Sequence, residues 1–264
     1  MLGLLTTFAT LALAAPPTPL APTKGWVVDY AETFCTARRS FGDEKAPLDL
    51  FLRPSPNGDL LQFFVIRNGG FAAAEHVPVT VGFGERAVKG TALLYGGRQN
   101  GRRTVLINVA NDALADFPKA RTVTLRGSGV DYAFAVPGLD KVMAALATCN
   151  EDLRSHWNMT EERKAAIATR ARSITPLRDV ITYEDYPAQA LREEDTGQAR
   201  VMLLVDESGK VADCLLEKTS GNASLDAMTC VAFVKRARFH PAADAAGKPM
   251  KDVTHQTVSW RISG

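Results

Sequence analysis

The chain from about residue 26 to residue 136 alternates between apolar and polar positions with a period of two. Apolar residues occupy every second position in the runs 48–52, 77–81, 105–109 and 130–136. Clusters rich in Gly, Pro and Asn separate runs of this kind, at 54–58, 68–70, 96–101 and 127–129. Such short alternating runs bounded by turn residues predict β-strands. Their number and spacing favour an antiparallel sheet or sandwich.

The hydrophobic period changes at residue 139. Apolar residues now follow at steps of three or four, which places one stripe along a helix. The stripe consists of Leu139, Val142, Met143, Leu146, Cys149, Leu153 and Trp157. We therefore predict a helix over 139–157 that packs on the preceding sheet and closes a β-rich domain at 24–157.

A second complete pattern begins near residue 186. Alternating apolar residues predict strands over 201–205 and 211–216, joined by a tight turn at 206–210 that contains Gly209. Asn222 is a good N-cap, Asp226 lies in the first helical turn, and Pro241 marks the stop. Val253 to Ile262 form a last strand. The order ββαβ over 186–264, after the β-rich domain, predicts an α+β fold class with two domains.

Residues 158–185 separate the two patterns and are charged and rich in Ala. We interpret them as a linker. Thr160 and the two Glu residues after it predict a capped helix that runs to about Arg172, and Pro176 prevents its continuation.

The first fifteen residues carry a separate signal. Residues 2–15 are uncharged and mostly apolar, and they are shorter than the roughly 20 residues that a spanning helix needs. Ala12-Leu13-Ala14 has the small-x-small form of a signal-peptide cleavage site. We expect 1–15 to be a signal peptide, with a short uncleaved anchor and a buried core helix as alternatives. The expected location is the periplasm, or the inner membrane facing the periplasm if the run is an anchor.

Composition narrows the functional classes. The 264 residues carry 31 basic and 29 acidic side chains, and this net charge of +2 gives no global argument for nucleic-acid binding. The four cysteines fall as one pair in each predicted domain: Cys35 and Cys149, then Cys214 and Cys230. An exported protein meets an oxidising compartment, so we predict these two disulfides. Free buried thiols and a zinc site are the alternatives, although neither C-x-x-C nor His at ligand spacing supports zinc.

Motifs for catalysis are absent from the sequence. It contains no G-x-S-x-G, no H-E-x-x-H and no phosphate-binding loop, and the four histidines are scattered. We therefore predict no catalytic, cofactor-binding or metal-binding residues, and a protein that is not an enzyme and has no cofactor.

The second pattern contains five motifs in order: Asp185-Tyr186-Pro187, the turn 205–211, Thr219–Asn222 before Leu225-Asp226, Arg238–Ala242 and Gly247–Pro249. In their order and spacing these motifs resemble the C-terminal domain of TonB-type energy transducers. Residues 26–157 are similar, less closely, to a poorly characterised domain that precedes such units in exported alphaproteobacterial proteins.

The resemblance implies a way of binding. In the family, the final strand at the sheet edge recruits an extended segment of a partner through main-chain hydrogen bonds. The corresponding residues here are Val253, His255, Gln256, Thr257 and Val258. The expected partner is an envelope protein or peptide, and an outer-membrane receptor is the narrower possibility.

Three functions follow as competing hypotheses. The first is a non-catalytic periplasmic or envelope protein that binds a partner through the TonB-like domain. The second is an energy transducer for transport through outer-membrane receptors. A transducer of that family carries a long Pro-rich spacer, whereas the Pro-rich piece here, 16–22, has only seven residues. The third is an enzyme with its site in the β-rich domain.

Overall fold

A computed structural model describes residues 18–262, apart from 32–33, 44, 71 and 97–100. The predicted signal peptide at 1–15 lies outside the described residues. Within them, the chain forms sixteen strands and five α-helices. The strands are β1 (Val27–Tyr30), β2 (Cys35–Asp43), β3 (Ala46–Pro54), β4 (Leu60–Asn68), β5 (Ala72–Phe83), β6 (Arg86–Gly96), β7 (Arg102–Ala110), β8 (Thr122–Gly127), β9 (Val130–Ala135), β10 (Arg172–Ser173), β11 (Gly197–Val205), β12 (Val211–Lys218), β13 (Phe239–His240), β14 (Ala242–Ala243), β15 (Pro249–Met250) and β16 (Asp252–Trp260). The helices are α1 (Leu139–His156), α2 (Glu161–Ala166), α3 (Leu177–Val180), α4 (Ala188–Arg192) and α5 (Ala223–Arg236).

The first nine strands form one antiparallel sheet in the order β1-β2-β3-β4-β7-β6-β5-β8-β9. A short N-terminal segment bridges the two ends of this sheet. Leu20 exchanges backbone hydrogen bonds with Ala133 and Ala135 of β9, and Thr23 N–H donates to Ser40 O of β2. The sheet is therefore curled, and its inward-facing side chains form a closed core.

The apolar residues of the alternating runs face the core, as the sequence predicts. Leu50, Val79, Ile107 and Phe134 are all buried in the inside of the curled sheet. Helix α1 packs over β2 and β3, and its apolar stripe belongs to the same core. The predicted fold class, a β-rich domain closed by one long helix and followed by a small ββαβ unit, is confirmed.

The C-terminal unit is built on a three-stranded antiparallel sheet in the order β12-β11-β16, with α5 packed on one face. The turn between β11 and β12 requires Gly209, which has φ +78°. A Cβ at this position would also lie 2.0 Å from Phe239 O. Both the positive φ and this close approach therefore require glycine. Helix α5 begins at Asn222, whose side chain accepts hydrogen bonds from Ser224 and Leu225 N–H.

Both cysteine pairs form disulfides, Cys35–Cys149 and Cys214–Cys230. These are the pairings expected from the sequence. The first joins β2 to α1, and the second joins β12 to α5. Each bond therefore connects a helix to the sheet on which it packs.

Strand β11, which was predicted from its alternating apolar residues, is buried on both faces. Val201 and Leu203 face α5, but Met202 and Leu204 on the opposite face are buried as completely. Met202 and Leu204 belong to the large core of the β-rich domain, which also includes Trp157. A continuous apolar run is typical of a strand buried on both faces.

Polar contacts reinforce this docking. Gln62 Nε2 donates to Glu217 O at 2.7 Å, and Asn158 Nδ2 donates to Lys251 O at 2.7 Å. His156 Nε2 lies 3.2 Å from the Asp213 carboxylate. The C-terminal sheet is thus covered by α5 on one face and by the β-rich domain over part of the other.

Residues 158–185 also contain more structure than the linker prediction implied. Thr160 caps α2 as expected, but the helix ends at Ala166 and not near Arg172. The chain is diverted because Ala168 and Thr169 N–H both donate to Ala243 O, which pairs this segment with the C-terminal unit. Further along, Val180 is buried in the core beneath α5. No helix within the described part of the chain is long and apolar enough to cross a membrane.

Candidate functional site

The strand singled out by the sequence, β16, is the end strand of its sheet. It pairs with β11 along its whole length, from Trp260 opposite Gly197 to Asp252 opposite Val205. Within the described residues no strand lies on its other side. In an antiparallel strand, alternate residues direct both backbone groups towards the paired strand or away from it. Beyond Val253, whose N–H donates to the Asp252 carboxylate, one side of β16 therefore presents a row of backbone donors and acceptors that no strand of the described residues pairs.

One face of β16 holds the strand in place. Val258 and Trp260 are buried beneath α5. The Trp260 Nε1–H group donates to Thr229 Oγ1 at 3.0 Å, and the indole packs edge-on against Tyr186, with ring centroids 5.3 Å apart. These contacts fix the end of the strand without using its outer edge.

The beginning of β16 is fixed by a buried carboxylate. Asp252 accepts hydrogen bonds from the N–H groups of Ala171 and Val253, at 2.9 and 2.8 Å. The Arg170 guanidinium lies 3.3 Å from Oδ1, the oxygen that also accepts from Val253. Because both ends are anchored, the register of the strand is well defined.

The other face of β16 is polar and exposed at His255, Thr257 and Ser259. A charged cluster forms on this face around Glu217 of β12. Glu217 Oε2 lies 2.9 Å from His255 Nδ1 and 3.0 Å from Arg200 Nε. The cluster therefore crosses all three strands of the sheet.

Sequence reasoning did not identify Arg200 or Glu217 as neighbours of His255. A bulge in the pairing of β11 with β12 brings them together, because the register shifts between Arg200 and Val201. Glu217 is the additional residue on β12 at this shift. Alternation alone gives no signal for such an inserted position.

The five residues predicted to bind a partner have different environments. Val253 packs against the core of the β-rich domain, and Val258 is buried under α5. Gln256 is partly buried, whereas His255 and Thr257 are exposed. Side-chain recognition would fall to His255 and Thr257, and only alternate residues of the five direct their backbone groups to the free edge. Their role in binding stays a prediction.

A buried carboxylate connects the end of β12 to α5. Asp226 accepts hydrogen bonds from Thr219 Oγ1 and from the N–H and Oγ of Ser220. Burial raises the pKa of Asp226, and these hydrogen bonds offset only part of that effect. Among the described residues, no group of three or more His, Cys, Asp or Glu side chains is arranged to hold a metal ion.

Comparison with known proteins identifies the C-terminal unit. Residues 182–262 match the family model for the Gram-negative bacterial TonB protein C-terminal. The resemblance inferred from the sequence is thereby confirmed for this unit, which extends a few residues before position 186. The family is one of envelope proteins that interact with other proteins, and it is not a family of enzymes. No curated protein matches the chain.

Proposed function

We propose that this chain is an exported, non-catalytic envelope protein whose TonB-like unit binds an extended segment of another protein along the edge of β16. The observation that carries the proposal is that β16 is the end strand of its sheet. It pairs with β11 along one edge, and contacts of Asp252 and Trp260 anchor its two ends, so the opposite edge is left for a partner. An edge with unpaired backbone groups is what strand addition requires.

The polar face beside this edge suits a strand that stays exposed until a partner arrives. His255 and Thr257 lessen the tendency of a bare edge to aggregate. They also offer hydrogen-bonding groups to alternate side chains of an added strand. Backbone hydrogen bonds contribute about 1 kcal/mol each and are the same for any extended sequence, so specificity depends on the side-chain contacts.

The docking of the TonB-like unit favours a binding protein over an energy transducer. Transduction in the resembled family places the terminal domain at the end of a long spacer. Here Met202 and Leu204 bury one face of the unit in the core of the β-rich domain. Force applied to such a unit would act on a docked interface and not on a free end.

Site-specific photocrosslinking tests the proposal in intact cells. A photoreactive side chain at Thr257 is expected to capture a discrete envelope partner. The same group at Lys235, on the exposed end of α5, is the matched control and is expected to capture none. Equal crosslinking from both positions, or none from Thr257, would contradict binding at this edge.

The location is tested separately. Mass spectrometry of the N-terminal peptide of the native protein shows whether residues 1–15 are removed. Loss of this segment together with release in the periplasmic fraction supports a free periplasmic protein. An intact N-terminus in the inner-membrane fraction would support the anchored alternative.

A further inference from the structure

A groove of about 420 Å³ lies on the outer face of the first sheet, across β1 to β4. The pairing of these strands aligns Val27, Arg38, Phe51 and Phe64 in one cross-strand row that forms its floor. Phe34 adds a third aromatic ring to the lining. The volume is within the range of sites that hold small organic ligands, about 300–1,000 Å³.

The groove contains a guanidinium group in an unusual setting. The Arg53 Cζ atom lies 4.9 Å from the centroid of the Phe64 ring and 5.9 Å from that of Phe34. Its Nε donates to Gln62 Oε1 at 2.7 Å, and an Nη approaches Leu216 O at 3.4 Å. These neutral acceptors orient the group but do not neutralise its charge.

A second arginine lies on the same floor. Arg38 is exposed, and its Cζ atom lies 6.0 Å from the centroid of the Phe51 ring. Neither Arg38 nor Arg53 forms an ion pair with a carboxylate of the described residues. Burial lowers the pKa of Arg53 to about 10, so the group remains protonated at neutral pH. A charge in apolar surroundings is costly unless a counter-ion accompanies it.

Among the described residues of the lining, Asp29 is the single acidic one, and it lies on β1 opposite Thr36. It is exposed, and within the described residues it forms no ion pair with Arg38 or Arg53. The described part of the lining thus carries two cationic groups and one exposed carboxylate, and its net charge is positive beside the aromatic floor.

We propose that this groove is a binding site for a small aromatic carboxylate. Arginine matches a carboxylate with two parallel N–H donors, so Arg38 and Arg53 would hold the charged end of the ligand. The rings of Phe51 and Phe64 would pack against its aromatic body. This site is separate from the edge of β16, and its ligand is chemically distinct from an extended peptide.

Isothermal titration of the mature chain with 2-naphthoate tests the proposal, with 2-naphthamide as an uncharged probe of the same shape. We expect 2-naphthoate to bind, and 2-naphthamide to bind at least tenfold more weakly. Arg53→Met and Arg38→Met are each expected to weaken 2-naphthoate binding at least tenfold. Arg67→Met is the matched control, because Arg67 is exposed on β4 outside the groove, and it is expected to leave the affinity unchanged.

Arg53 also supports the structure through Gln62 and Leu216, so Arg53→Met can lose the fold. Arg38→Met keeps the test decisive, because Arg38 is exposed. Equal affinity for the acid and the amide would overturn the proposal, as would unchanged affinity in a folded Arg38→Met variant. If decanoate binds as tightly as 2-naphthoate, the ligand class is not specifically aromatic. If 2-naphthoate does not bind at millimolar concentration, the groove is not a binding site for aromatic carboxylates.

Discussion

Met202 and Leu203 are neighbours on β11 and both are 0% exposed, yet they belong to two different hydrophobic cores. Leu203 lies in the core under α5, and Met202 lies in the core of the β-rich domain. Adjacent residues of a strand point to opposite faces, so β11 is covered on both sides. This strand physically joins the two halves of the protein.

We expect Leu204→Ala to lower the free energy of unfolding by about 2–4 kcal/mol, because it leaves a cavity in the shared core. Leu203→Ala is the matched control in the core under α5 and should have an effect of similar size. Urea denaturation followed by circular dichroism measures both. A change below about 0.5 kcal/mol for Leu204→Ala alone would show that this face of β11 is exposed in solution.

Met202 and Leu204 also show how much of the structure can be predicted from the sequence alone. Alternation and turn residues predicted four of the nine strands of the first sheet, namely β3, β5, β7 and β9, and also the ββαβ order, because each rests on local periodicity. The docking of the two halves rests on Met202 and Leu204. Their apolar character indicates that the second face of β11 is buried, but it does not indicate which part of the chain covers that face. The cluster of Arg200, Glu217 and His255 depends on a bulge, which is a property of strand pairing and not of either strand alone.

The disulfides are expected to stabilise the two halves unequally. Cys35–Cys149 closes a separation of 114 residues and Cys214–Cys230 one of 16. In the chain-entropy model these loops correspond to about 5 and about 3 kcal/mol. Paired replacement by Ser, Cys35→Ser with Cys149→Ser or Cys214→Ser with Cys230→Ser, should lower the urea midpoint in that order.

Peptide mapping without reduction checks the pairing in purified native protein. The expected products are one peptide pair for each bond. A mixed pair such as Cys35–Cys230 would refute the pairing and would weaken the division into two domains.

We propose the division into a β-rich domain at 24–157, a connecting segment at 158–185 and a TonB-like domain from 186. Limited proteolysis should cut first within or beside α2, which has no buried residue. Later residues of the segment are protected, since Val180 is buried. A first stable cut inside 199–217 would be incompatible with this division, and mass spectrometry of the fragments identifies the cut.

Acid should weaken the attachment of the connecting segment to α5. Burial alone raises the pKa of Asp185, but hydrogen bonds from Arg236 and Thr182 outweigh it and leave the pKa below its usual value. A carboxyl with a lowered pKa in the folded state contributes stability at neutral pH and loses that contribution as the pH falls through the folded pKa. Asp185→Asn should therefore cost about 1 kcal/mol at pH 7, since the exposed Arg236 is screened by solvent, and progressively less below about pH 4.

Asp179→Asn is the control for this titration. Asp179 is exposed and lies 3.7 Å from Arg178, its neighbour in sequence, so its replacement should change the stability by less than about 0.5 kcal/mol at any pH. Thermal unfolding between pH 2 and pH 7 compares the two variants. A constant difference between Asp185→Asn and the wild type across this range would contradict the ion-pair interpretation.

The backbone edge of β16 gives the most specific prediction. Because Val253 N–H donates to the Asp252 carboxylate, we assign the outward direction to Val253 and, four residues further, to Thr257. Thr257→Pro removes an outward donor and should abolish binding of an extended peptide, selected from a random display library on the wild type, while the fold is retained. Gln256→Pro removes a donor directed at β11 and should destabilise the sheet.

Thr257→Val separates the backbone from the side chain, because it keeps the N–H group and removes only the hydroxyl. It should bind the selected peptide within about threefold of the wild type, since a single exposed hydroxyl contributes about 0.5 kcal/mol or slightly more. Hydrogen exchange should show protection of the outward amides of His255, Thr257 and Ser259 only in the bound state, because the amides between them already pair with β11. Unchanged peptide affinity in folded Thr257→Pro would exclude strand addition at this edge, and protection confined to another part of the chain would locate the binding surface elsewhere.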